Sequence, residues 1–169
     1  ETSKLETLVI EQKESSVKPI YERDLTTTPP SPETMRMAEN VEIGINWTCQ
    51  TCDIDLYVRP YNRAQVLYFA QTQTNEGLYH KDFTQSPLPQ GGFETASFTV
   101  PVDLRDTMIA INWFNGSVPE GVSGEIRLAI GDKTYGLPFQ IKATGGNAAQ
   151  GRDETLQSGK PANDKWLVI

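Results

Sequence analysis

The chain has 169 residues, enough for one domain with a full hydrophobic core. Its hydrophobic fraction is 37%, and 22 Asp and Glu against 15 Lys and Arg give a formal net charge of −7. That balance argues against a nucleic-acid binder or a protein held on an anionic membrane, and no apolar run reaches the ~20 residues of a membrane-spanning helix.

Residues 1–40 read as an N-terminal arm and Pro-rich linker. The chain begins at Glu1 rather than Met, as expected of a processed or cut chain. Leu8-Val-Ile10 is a candidate short strand, and Thr26-Thr-Thr-Pro-Pro-Ser-Pro32 is extended because proline fixes φ and removes donors. From Val41 the period becomes two: Val41, Ile43, Ile45, Trp47 and Cys49 alternate with polar or small residues, and Cys52, Ile54, Leu56 and Val58 alternate with Asp53, Asp55, Tyr57 and Arg59. Two such runs separated by Gln50-Thr51 predict a hairpin.

Further strands are predicted at 65–70, 93–100, 107–114, 124–130 and 133–142, with turn clusters between them. Gly131-Asp-Lys133 reads as the turn of a second hairpin. Residues 143–169 read as a flexible loop, poor in large apolar side chains, followed by the strand Trp166-Leu-Val-Ile169 packing on the domain. Many short strands without long helices predict an all-β protein: an antiparallel β-sandwich of jelly-roll or Ig-like topology over 41–142.

Cys49 and Cys52 are the only cysteines and His80 the only histidine. That set is too small for a closed zinc site, and a redox C-x-x-C belongs at a strand-to-helix junction rather than between strands. A tight turn closed by a local disulfide in an oxidising compartment is the expectation.

Asp53 and Asp55 stand two apart on a strand, so both carboxylates leave the same face. A hard cation such as Ca²⁺ would relieve their repulsion, and Asp82, Glu94 and Asp103 are candidate further oxygen donors. The metal set is therefore Asp53, Asp55 and Asp82, weighed against aspartates that accept turn amides or face water. No other cofactor is indicated. A hydrolase using the aspartates or His80 is the enzymatic alternative, but neither a G-x-S-x-G elbow nor a phosphate-cradling glycine pattern occurs. Tyr57, Tyr61, Tyr79 and Trp113 are candidate ligand-binding aromatics for a sugar ring or a protein anchor.

Several motifs in order carry a resemblance: Ile45-Asn-Trp47, Asp53-Ile-Asp-Leu-Tyr-Val58 with Pro60, Leu67-Tyr-Phe69, Glu76-Gly-Leu78, Asp82, Gly91-Gly-Phe-Glu94 and Ala110-Ile-Asn-Trp-Phe-Asn-Gly116. Together they resemble the YfaP-type group of bacterial exported domains of unknown function. The Asp-x-Asp-Leu strand is also similar to that of bacterial pre-peptidase C-terminal domains. The resemblance covers roughly residues 43–130 and implies a secreted β-sandwich of accessory character. The expected function is a non-catalytic exported module, periplasmic or extracellular, that binds protein or carbohydrate and is stabilised by calcium. A homo-oligomer pairing through terminal strands is the structural alternative.

Overall fold

The structure, a computed structural model, describes residues 19–80 and 92–169. Eight strands occur among them: β1 (Val41–Trp47), β2 (Asp53–Arg59), β3 (Gly77–His80), β4 (Phe93–Phe98), β5 (Met108–Asn115), β6 (Val122–Ile130), β7 (Lys133–Ile141) and β8 (Trp166–Val168). They form two antiparallel sheets, one of five strands in the order β3-β4-β1-β6-β7 and one of three in the order β2-β5-β8. The arrangement is that of a β-sandwich. Two short α-helices, α1 (Pro32–Met35) and α2 (Arg152–Ser158), lie outside the sheets.

The period-two pattern places the core. Ile43, Ile45 and Trp47 from β1 meet Ile54, Leu56 and Val58 from β2 between the sheets, all buried in one cluster. Each such side chain taken fully from water contributes about 1.5–3 kcal/mol before chain entropy is counted. Trp47 anchors one end. Its indole N–H donates to the Cys52 carbonyl at 3.1 Å, and its ring lies so close to Gly92 that a Cβ there would stand 2.1 Å from Cζ2.

The Gly131 turn forms as expected, joining Ile130 to Lys133 in register with Gly131 at φ +61. The other expected hairpin does not form. β1 pairs with β4 and β6 whereas β2 pairs with β5, so the disulfide-bonded Cys49–Cys52 turn carries the chain from one sheet to the other. Alternation reports which residues share a face, but not which strand lies alongside. Residues 65–70 make only isolated bridges, Val58 to Leu67 and Tyr68 to Gln71.

Parts of both tails belong to the sandwich. Ile20 is buried, and Arg127 Nη1 donates to the carbonyls of Ile20 and Arg23 at 3.0 and 2.7 Å. The segment read as a flexible loop after residue 142 contains α2, flanked by left-handed Gly151 and Gly159. It also contains side-chain bonds that tie Asn147 to Asn163 and Trp166 to the Gln150 carbonyl. β8 then pairs with β5, as the terminal apolar residues led one to expect. Residues 1–18, including Leu8-Val-Ile10, lie outside the described residues.

Candidate functional site

β2 is buried on both faces. Alternate residues Ile54, Leu56 and Val58 enter the inter-sheet core. On the opposite face Tyr57 packs with Trp166, its ring stacking on Tyr68 at 5.1 Å between centroids. Asp53 and Asp55 are therefore removed from water together with their strand.

Glu94 arrives from the other sheet. Its register partner on β1 is Ile45, a core residue, so Glu94 also points between the layers. β2 is one of the two edge strands of the smaller sheet, and its Leu56 N–H donates to Glu94 Oε1 at 2.8 Å. The buried Tyr79 hydroxyl donates to the same oxygen. Each of Asp53, Asp55 and Glu94 offers a carboxylate oxygen, and these atoms lie within 4.8 Å of one another, all three residues being buried. Such a trio has the donor chemistry of a hard-cation centre.

Of the candidate metal ligands, the structure thus brings Asp53 and Asp55 together with Glu94. Asp82 lies outside the described residues. Asp103 stands apart in an exposed pair, where Arg105 holds its carboxyl down to about 2. The sequence reading missed Asn112. This fully buried residue is the register partner of Asp55 on β5, and its only signal was a polar interruption of the apolar run 108–114.

The aromatic platform is corrected. Tyr57 and Trp113 are fully buried, because β2 and β5 carry packing on both faces, and Tyr79 is buried against Glu94. Burial pushes the Tyr57 phenol well above the usual tyrosine range, with the Asp55 charge adding to the effect. Tyr61 alone is exposed, at 49%, and donates its hydroxyl to Glu76 at 2.8 Å. The four do not share an exposed surface.

His80 lies next to buried Tyr79 on β3 and is exposed on the opposite face, its Nε2 2.9 Å from Ser97 Oγ. Among the described residues no carboxylate bonds to this imidazole.

The far side of the sandwich is open. A cavity of about 550 Å³ lies along β6 and β7, walled by Ile109, Ile126, Leu128, Leu137 and Ile169, by Arg105 and Tyr135, and by the strap Thr26–Pro30. Leu137 and Ile169 are half exposed at its border. No helix among the described residues is long and apolar enough to cross a membrane. Compared with protein-family models, curated proteins and solved structures, the chain finds no match.

Proposed function

We propose that this protein is a non-catalytic, exported β-sandwich module that binds a protein partner at the cell envelope or surface. The observation that carries the reading is the division of the sandwich into a sealed acidic side and an open apolar one. The carboxylates suited to acid–base work are buried in the junction between the sheets. The accessible concavity is lined mainly by apolar side chains, with Arg105, Tyr135 and four threonines among them, and its described lining contains none of Asp53, Asp55 and His80. A hydrolase would instead set its acid and base in such a pocket.

A lining in which aliphatic side chains outnumber a single aromatic ring, Tyr135, fits an extended peptide better than a sugar, which stacks on aromatic faces. β8 is the outer strand of the smaller sheet, and Ile169 just beyond it borders the cavity, so an added strand would find backbone edge and side-chain pocket side by side. The Cys49–Cys52 disulfide fits an oxidising compartment, in keeping with the resemblance to bacterial exported domains. The strand order supports an immunoglobulin-like topology over a jelly roll. β3-β4-β1 facing β2-β5-β8 follows the D-E-B and C-F-G order, with β6 and β7 on the side where strand A would pair.

The test is fluorescence polarisation with labelled peptides of alternating aliphatic and polar residues, alongside a glycan panel. Saturable peptide binding that Leu137→Glu abolishes supports the reading. Turnover of chromogenic ester or glycoside substrates that Asp55→Asn abolishes would overturn it.

A further inference from the structure

We infer that the acidic junction is a calcium site, built from Asp53 and Asp55 on β2, Glu94 on β4 and Asn112 on β5. Two observations converge on it. The first is spacing. Calcium takes oxygens at 2.3–2.6 Å, so two ligands of one ion stand at most about 5.2 Å apart. The three carboxylate oxygens lie within 4.8 Å of one another, inside that limit.

The second observation is the orientation of Asn112. Its amide Nδ2 donates to Asn147 Oδ1 at 3.0 Å and to the Lys165 carbonyl at 3.2 Å. Lys165 directly precedes β8, and Asn147 bonds to Asn163 of the same segment, so both acceptors lie on the β8 side of β5. β5 separates β8 from β2, so the other arm of the amide, Oδ1, turns toward β2. There Asp55 is the direct cross-strand partner of Asn112. Asn112 is fully buried, and its Oδ1 accepts no hydrogen bond among the described residues. A buried amide oxygen that accepts no hydrogen bond is costly at low dielectric, and a cation beside it makes it a ligand.

The donor set selects the ion. All four groups offer oxygen, the cysteines are joined in a disulfide and His80 faces away, so softer metals find no nitrogen or sulfur. Magnesium retains several waters and is seldom held in an all-protein cage, whereas calcium accepts carboxylates and amide carbonyls in irregular geometry. Glu94 is held in place by the Leu56 and Tyr79 donors at Oε1, which positions its carboxylate at the site. The ion would bridge the sheets, with ligands from β4 on one layer and from β2 and β5 on the other. This is independent of the peptide-binding reading, which stands or falls on the cavity.

The test treats the full chain with chelator, then titrates terbium while exciting tryptophan. Trp166 is the register partner of Asn112 and can sensitise the bound lanthanide. One equivalent of terbium should bind and be displaced by calcium. Asp55→Asn and Asn112→Ala should each weaken uptake on the order of ten-fold or more. Should a variant fail to fold, elemental analysis of wild-type protein after dialysis against calcium decides, with one bound equivalent expected. No bound calcium, or terbium uptake unchanged in both variants, would overturn the assignment.

Discussion

The Leu56 amide on β2 donates to the Glu94 carboxylate on β4, and this bond ties the smaller sheet to the larger one across the core. Tyr79 on β3 gives the same oxygen a second donor. Glu94→Leu should therefore cost about 2–4 kcal/mol, because two buried donors lose their acceptor. Glu94→Gln retains an oxygen and should cost less, and Tyr79→Phe should cost about 1.5–3 kcal/mol. Urea unfolding midpoints measure all three. A Glu94→Leu midpoint equal to wild type would mean that the bond carries no stability.

Gly92 sits against a ring that cannot yield. Trp47 is fully buried, and the Gly92 carbonyl accepts its backbone N–H at 3.0 Å, so the two cannot move apart without breaking the end of the β1–β4 ladder. Gly92→Ala should destabilise by about 1–3 kcal/mol through overpacking, with a change in tryptophan emission. Unchanged stability and emission would contradict the packing described.

The disulfide closes a very short loop, so its effect on the unfolded chain is small. Cys49→Ser with Cys52→Ser should cost about 2 kcal/mol by loop entropy. Cys52 is itself buried in the core beside Trp47 and Gly116. Calorimetry of the double variant, and of reduced wild type, should give matching losses.

Tyr57 predicts an alkaline limit to stability. Its phenol is raised from 10.0 first by burial and then by Asp55, so the folded state holds that proton more tightly than the unfolded state. The contribution is complete below pH 10 and falls away as pH rises from there toward the raised value. Tyr57→Phe should flatten this decline in urea-unfolding free energies measured between pH 9 and 11. An equally steep fall in the variant would assign it to other groups.

The sequence pattern revealed the strands well, because Val41, Ile43, Ile45 and Trp47 meet a core that rewards period two. It failed where the answer depended on distant chain. Asp53, Asp55 and Tyr57 alternate as a solvent face would, yet Tyr68 and Trp166 cover that face from remote segments. The Cys turn read as a hairpin because local spacing cannot distinguish pairing from crossing between layers. Glu94 could be weighed only as one more acid, since its place beside Leu56 follows from the Ile45 register and the stacking of two sheets. Asn112 was visible as a polar residue in an apolar strand, but its pairing with Asp55 follows from the β2–β5 register.

The central claim, that the buried acids form a cation-held junction, is tested most directly by calorimetric melting in excess calcium and in chelator. With calcium about a hundred-fold above its dissociation constant, the melting temperature should rise on the order of 5–10 °C. Superimposable melts in calcium and in chelator would contradict it.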